Sequence, residues 1–574
     1  MKVLKKYGLL LSGASVAILS GCDKDCGAEF MGEQNGFYRQ AQILASWLDN
    51  GHGLEVIPDY YNELGDFPYQ RKDSPKEIPF ADRITVSRFL GGWGPGFGGI
   101  KDVAEARMRD LVRRNEDGSL EYHWGGQMDY IKKYLDAGIS ELVLSIDNIP
   151  YDLADGAKIA DFGQARPHKE IREWQTFFET FLNEMEKRYG TAFMNTVSFR
   201  VGTEFNRTHT YTGNLETYLE WYRAAAESVK KKFPGAKIGL CEICGWFEPG
   251  MDNIDFVEVL NTLLAEGVPV DFIANSSHAY PVWLDTGELI GCVDPRERAE
   301  KSVWLYKHLL KDQPQLIGEI PVYVFQFGIL RSEILDDAGT HLISDEPGPR
   351  GAAWTLIALM ETRRLWPSIK GIGHWDVTAA VPGKPQMRLL KGNGWVYTVL
   401  DHLRGREMYA LDAGGEAPNG SYCKAYAFVD PESDKHYVMA ATFNVDRAVS
   451  DSLPVEIRLP KKLSGKIQSI RSCKLTAENS PFHTLRTDLL ATGLLPAAYA
   501  THREIVAEPR LYAGKDQVLC QKMNAVFETE FPRYREMVKG SLKLMPSSAT
   551  IDGGLLQVEL EMPSVQVFEI TLEK

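Results

Sequence analysis

The chain reads as an α/β protein: a (β/α)8 TIM barrel with a C-terminal all-β sandwich domain. Three observations lead there. Short β-type runs alternate with amphipathic helical runs from about Asp82 to Asp401, the pattern of a parallel sheet. The strand–helix units approach the number, about eight, that closes a barrel. After Asp401 the apolar period becomes alternating, as in half-buried strands. At 574 residues the chain exceeds one ordinary domain. It divides into a leader (1–21), an N-terminal tether and extension (22–80), the barrel (81–400), and a β-sandwich with a partly helical insertion (401–574).

The leader is read first because it is not part of the fold. Lys2, Lys5 and Lys6 form a basic start, and Tyr7 to Leu19 is an apolar run too short to span a bilayer. Leu19-Ser20-Gly21-Cys22 resembles a bacterial lipobox. That resemblance implies cleavage before Cys22, lipidation of Cys22, and a mature protein tethered outside the cytoplasm, on the periplasmic side or the cell surface. The net charge of −14 argues against a nucleic-acid partner. The eight cysteines are too sparse for a disulfide scaffold. Cys241-Glu242-Ile243-Cys244 has CxxC spacing but no second pair, so buried thiols are expected, with no metal and no cofactor.

The extension contains one stretch, Phe30 to Trp47, with helical spacing. Ile84 to Leu90 reads as strand one and runs into the glycine-rich loop Gly91-Gly92-Trp93-Gly94-Pro95-Gly96, which lacks the ending of a phosphate-binding loop. Met128 to Ala137 is helical, and Glu141 to Ile146 is the next strand, ended by Asp147-Asn148. Glu170 to Tyr189 carries an aromatic stripe suited to packing on a barrel. Val197 to Val201 is a strand that stops at Gly202-Thr203-Glu204. Strands are also expected at Ala236 to Ile243, Val270 to Ala279, Val322 to Gly328 and Ile369 to His374, with helices between them. Beyond Asp401, Tyr426 to Val429 and His436 to Phe443 form a hairpin, and Val455 to Leu459, Leu556 to Leu560 and Val565 to Leu572 alternate as strands do.

Function is sought where strands end, because the C-terminal face of a (β/α)8 barrel carries the active site. Glu204 sits at such an end, placed to act as a proton donor among barrel aromatics. The alternative is a Glu that caps a helix or pairs with a barrel Arg. Trp93, Trp124, Tyr280, Trp283 and Trp375 also fall at or after strand ends, where flat rings can cover the C–H faces of sugars or simply fill the barrel mouth. His278 lacks a second ligand at metal spacing, which favours a hydrogen-bonding role. Arg88 is suited to hold a neighbouring carboxylate.

The order of these motifs resembles the retaining glycoside hydrolases of clan A, most closely family 39, which contains β-xylosidases and α-L-iduronidase. The run Tyr122-His123-Trp124 to Ile131, the helix bearing Trp174 and Arg188-Tyr189-Gly190, Glu204-Phe205-Asn206, His278-Ala279-Tyr280 and Gly373-His374-Trp375-Asp376 carry the likeness. It implies a carbohydrate substrate and two carboxylates flanking a glycosidic bond, about 5 Å apart in a retaining enzyme. It makes Glu204 the acid/base. Taken with the strand-end reading, substrate contacts are expected at Arg88, Trp93, Trp124, Thr203, Asn206, Glu242, His278, Tyr280, Trp375 and Asp376. The sequence departs from the pattern on strand seven, where Phe325-Gln326-Phe327 puts an amide at the nucleophile position. Gln326 has no anionic oxygen. Thr203 replaces an Asn and Phe205 a Pro. Three readings follow: a hydrolase with another second carboxylate, Glu242 or Asp376; an inactive glycan-binding barrel; or a structural lipoprotein.

Overall fold

The computed structural model describes residues 28–35, 38–44, 63–67, 84–88, 90–92, 102–136, 141–160, 163–208, 210–244, 254–279, 281–283, 289–329, 332–336, 339–343, 347–374, 377–381, 384–463, 465–497, 509–513 and 516–573. Eight parallel strands close a barrel: β1 (Tyr38–Leu44), β2 (Ile84–Arg88), β3 (Glu141–Ile146), β4 (Ser198–Val201), β5 (Lys237–Cys244), β6 (Phe272–Ala279), β7 (Val322–Ile329) and β8 (Ile369–His374), which pairs back onto β1.

The N-terminal expectation needs correcting. Phe30 to Trp47 is not a helix over its described part: Ala28–Glu33 and Tyr38–Leu44 are strands. The first pairs with the sandwich and the second closes the barrel, so the barrel starts well before residue 81, and Ile84–Arg88 is its second strand, not its first. The physical reason is tertiary. β8 and β2 each present an unpaired edge, and Tyr38–Leu44 satisfies both, which outweighs its helical spacing.

Helices α1 (Gly125–Asp136), α2 (Ile171–Tyr189), α3 (Leu215–Lys232), α4 (Phe256–Ala265), α5 (Pro295–Leu309), α6 (Pro349–Leu365) and α7 (Gly392–His402) alternate with the strands. The starts of α3 and α5 are set by local chemistry. Asn214 and Thr217 form a reciprocal capping box, and Asp294 caps the amide of Arg296 with Pro295 in the first turn. The expected aromatic stripe of α2, Trp174, Phe177, Phe178 and Phe181, is fully buried.

The sandwich follows as β9 (Glu407–Leu411), β10 (Tyr422–Val429), β11 (Lys435–Phe443), β12 (Leu453–Arg458), β13 (Ile467–Leu475), β14 (Leu555–Leu560) and β15 (Ser564–Leu572). Its larger sheet runs from the N-terminal strand through β9, β10, β11, β15 and β13, and its smaller one pairs β12 with β14. The insertion between β13 and β14 supplies α8 (Pro481–Ala491) and α9 (Gln517–Ser541), as the sequence suggested. Helix α6 lies between the two domains, packed on the barrel helices and on β11 and β15, and nearly all of it is buried.

Candidate active site

The chain turns sharply at the end of β4. The amide of Gly202 bonds to the Ile146 carbonyl at 2.9 Å, that of Glu242 to the Gly202 carbonyl at 3.0 Å, and that of Glu204 to the Glu242 carbonyl at 2.6 Å. The turn therefore rests on both neighbouring strands. Gly202 has φ +97°, and a Cβ there would meet the Phe205 ring at 2.7 Å, so only glycine fits. Phe205 is buried, stacked on Tyr211 at 4.5 Å and on Trp221 at 5.5 Å. These rings anchor the turn from below.

Between them, Glu204 takes φ +56°, the one positive φ of a non-glycine among the described residues. That conformation costs about 1 kcal/mol, and such strain collects at functional sites. Glu204 is half-buried, and its Oε1 accepts a hydrogen bond from Ser276 Oγ of β6 at 2.8 Å.

Around it lies a buried ionic network. Arg200, 1% exposed, lies in the barrel interior with its guanidinium 5.3 Å from the centroid of the Phe325 ring. Its Nη1 bonds to Glu242 Oε2, and its Nη2 to Thr203 Oγ1 at 2.5 Å. Thr203 in turn donates to Asp147 Oδ1 at 2.7 Å, and Arg200 Nη2 lies 3.7 Å from that same oxygen. Burial raises Asp147 to about 6 against the pull of Arg200. Burial raises Glu242 to about 7; Arg200 opposes this, the charges of Glu204 and Asp147 add to it, and the neighbouring Gln326 amide favours the anion. Asp147 Oδ2 and Glu242 Oε1 have no well-formed hydrogen bond among the described residues.

Gln326 reaches the site through a β-bulge. The β6–β7 register runs Asn275↔Val324 and then Ser276↔Gln326, so Phe325 and Gln326 both serve the interior. Gln326 Oε1 lies 3.4 Å from His278 Nε2. Burial pushes His278 down to about 4, aided by Arg298 and opposed by Gln326. A neutral His278 has one ring proton for two partners, Gln326 and the Gly328 backbone, and its tautomer sets which way the Gln326 amide turns.

Thr203, Glu204, Glu242, His278 and Gln326 are thus brought together. Glu242 is sealed at 0% exposure and bound to Arg200, which removes it as a freely exposed second carboxylate. Trp124 is half-buried and packs on Phe177 and Phe181 of α2 and on Tyr122, so part of its surface serves the helix layer. Asn206 is fully buried and accepts from the Cys244 amide at 3.0 Å, so it braces β5 instead of facing a sugar. Arg88 lies on β2, opposite Leu44. Cys22, Trp93, Tyr280, Trp375 and Asp376 lie outside the described residues, as do the side chains of Arg88 and Trp283. Sequence reasoning missed Arg200, Asp147 and Ser276. A charged residue inside the apolar run Phe199-Arg200-Val201 was the available signal, since a buried guanidinium needs carboxylates. Among the described residues, no group of three His, Cys, Asp or Glu is placed to hold a metal.

A closed (β/α)8 barrel, a sandwich behind it and a half-buried carboxyl at the end of β4 are the features of a glycoside hydrolase-type scaffold. Residues 100–325 match the model for Glycosyl hydrolases family 39, a stretch that includes Glu204 and stops one residue before Gln326. Over 128 residues the chain is 24% identical to the Alpha-1,4-L-rhamnosidase of Formosa agariphila; the match spans 22% of this chain and about a quarter (26%) of that relative. The fold is similar to that of the GH39 enzyme from Xanthomonas axonopodis pv. citri (TM-score 0.58, 13% identity, covering 94% of this chain and 95% of that one). It is also similar to that of a monomeric β-xylosidase from Caulobacter crescentus CB15 (TM-score 0.56, 14% identity, covering 95% and 98%). The chain thus resembles the family 39 glycoside hydrolases of clan A, in sequence over residues 100–325 and in fold over nearly its whole length.

Proposed function

We propose that this protein hydrolyses glycosidic bonds of an oligo- or polysaccharide outside the cytoplasm, with Glu204 as general acid. The observation that supports this most is the contrast among three neighbouring carboxylates. Asp147 and Glu242 are sealed, whereas Glu204 is half-open and held on Ser276. Glu204 would give its proton to the glycosidic oxygen as the bond from that oxygen to the anomeric carbon breaks. A water oxygen then bonds to the anomeric carbon, and its proton returns to the Glu204 carboxylate. Gln326 and His278 would bind sugar hydroxyls as neutral hydrogen-bonding groups. Gln326 cannot form a glycosyl-enzyme ester, so the attacking group is water or a carboxylate outside the described residues, Asp376 foremost.

The neutral Gln326 also favours a second reading, a barrel that binds glycan without cleaving it. L-Rhamnosides and β-xylosides, the sugars in the names of the relatives, are the first to test. Release of sugar by the wild type and its loss in Glu204→Gln supports hydrolysis. Binding with no release in either protein supports the second reading. Gain of turnover in Gln326→Glu would show an intact cleft lacking only its nucleophile.

The basic start, short apolar run and Leu19-Ser20-Gly21-Cys22 motif support a lipid anchor at Cys22. Expression of the full chain in a bacterium with labelled palmitate checks it: label and membrane association should both disappear in Cys22→Ala.

A further inference from the structure

The larger sheet of the sandwich has two edges, and each carries an exposed apolar side chain. At one edge lies the N-terminal strand Ala28–Glu33, paired with β9 on one side only among the described residues, and its Phe30 is 46% exposed. At the other lies the short strand Met545–Pro546 beside β13, where Met545 is 53% exposed. At the usual strand spacing the two edges of this 7-stranded sheet stand about 29 Å apart. Folded proteins blunt or cover such edges, because an apolar edge invites another chain to pair with it.

Chain length decides which edge has a cover at hand. Cys22 and Ala28 are separated only by Asp23 to Gly27. Fully extended, that stretch reaches about 20 Å. A chain of this size folds into a body roughly 60 Å across. A lipid on Cys22 therefore brings the Phe30 edge to the bilayer and leaves Met545 on the far side.

The side chains of this edge suit a headgroup layer. Phe30 lies 5.4 Å from Tyr409, its partner across the ladder. Lys462 Nζ stands 5.9 Å from the centre of the Tyr409 ring and donates to Glu407 Oε2 at 2.6 Å, and the Tyr409 hydroxyl donates to the same oxygen at 2.8 Å. Arg364 lies 3.3 Å from Glu29. In a protein of net charge −14, the carboxylates at 29 and 407 are thus each met by a cation, and exposed Glu33 ends the strip. Aromatic rings and a long cationic stem are the side chains that settle at a membrane–water interface.

We propose, building on the lipid-anchor reading above, that the strip of Phe30, Tyr409 and Lys462 docks on the bilayer that holds Cys22. The docking fixes the direction of the cleft. Along α6, Arg350 meets Asn444 just past β11, and Glu361 meets Tyr426, which pairs with Met439 of β11. About 16 Å of helix thus runs beside about 17 Å of strand, so the sandwich strands follow the barrel axis. An edge strand resting on the bilayer lays that axis along the surface, and the mouth opens sideways over it. Glycan chains lying along the envelope surface are then the ones presented to the site.

The test uses the full chain, lipidated in a bacterium and placed in phosphatidylethanolamine–phosphatidylglycerol vesicles that carry a headgroup spin label as quencher. A coumarin amino acid is encoded at position 30 or at position 545. Quenching at 30 should exceed that at 545 by about threefold or more. With the probe at Glu33, Phe30→Asp should lower its quenching by about half; the side chain is exposed, so the fold should tolerate the change. Equal quenching at 30 and 545 in lipidated protein overturns the docking alone. A probe at 30 that is shielded from iodide but not quenched by the lipid, in a particle of twice the mass, would show two copies paired edge to edge and also overturns it. Absence of palmitate at Cys22 removes the anchor, and this inference with it.

Discussion

Two of the places where the molecule buries charge treat it in opposite ways. At the seam between barrel and sandwich, Glu361 of α6 is 3% exposed and well matched. Its Oε2 accepts from Arg364 at 2.7 and 3.0 Å, its Oε1 from the Tyr426 hydroxyl at 2.9 Å, and Lys424 lies 4.0 Å away. Nearby, Arg350 gives its guanidinium hydrogens to the carbonyls of Asn444 and Asp446 at 2.6 and 3.2 Å and lies over Phe443. In the cleft, Asp147 and Glu242 lean on the same guanidinium, and each keeps an oxygen without a well-formed bond among the described residues. The seam is neutralised and closed. The cleft holds more negative charge than Arg200 balances, and that excess makes proton transfer possible there and not at the seam.

The sharpest way to break this contrast is to remove one carboxylate from each place. Glu204→Gln should lower turnover of any accepted glycoside by roughly 10²- to 10⁴-fold, because a carboxamide cannot donate the proton. Its thermal unfolding should hardly change. Glu361→Ala should do the reverse. It leaves Arg364 and Tyr426 facing an apolar gap and should cost about 3 kcal/mol in urea unfolding, with activity per folded molecule retained. Equal loss of stability in both variants would end the distinction between the two regions.

The contrast also separates what the sequence revealed from what it did not. Strand–helix alternation from Ile84 onward, the stripe on α2 and the hairpin between β10 and β11 were legible because each follows from local periodicity. Glu204 was legible as the end of a strand. Tyr38–Leu44 was not, because its structure is imposed by two partner strands distant in sequence. Asn206 was misassigned for a related reason. Position in a motif indicates proximity to a cleft but not direction, and its side chain points into packing. The Asp147–Arg200–Glu242 set was hidden because it joins three strand ends whose adjacency exists only in the closed barrel.

A smaller effect follows from the cleft's excess charge. Asp147 is raised to about 6 and Glu242 to about 7, mainly by burial. Asp110, buried behind the loop after β2, is also raised by burial to about 6, against three backbone amides that favour its anion. A carboxyl raised in the folded state keeps a proton that the unfolded chain has released. Its stabilising contribution is complete below the ordinary value, near 4, and is lost as pH climbs through the folded value. The window is therefore about pH 4 to 7, with stability falling toward alkali by up to about 1.4 kcal/mol per pH unit for each group. Urea midpoints should be higher at pH 5 than at pH 8. Glu242→Gln should flatten that slope, and a slope unchanged in the variant would mean Glu242 is ionised throughout.

The smallest expected effect concerns Trp124, which shares the α2 face with Phe177 and Phe181 and stands apart from both charged regions. Trp124→Ala should cost about 2 kcal/mol, less than a fully buried Trp, because the ring is only half covered. KM for a cleaved glycoside should stay within about twofold, since no uniform substrate binding is removed. If KM rose by tenfold or so with kcat unchanged, the ring would have to contact sugar, and the cleft would extend over the Leu120–Tyr122 hairpin to the start of α1. The boundary drawn here between the reactive mouth and its helical wall would then move outward by one layer.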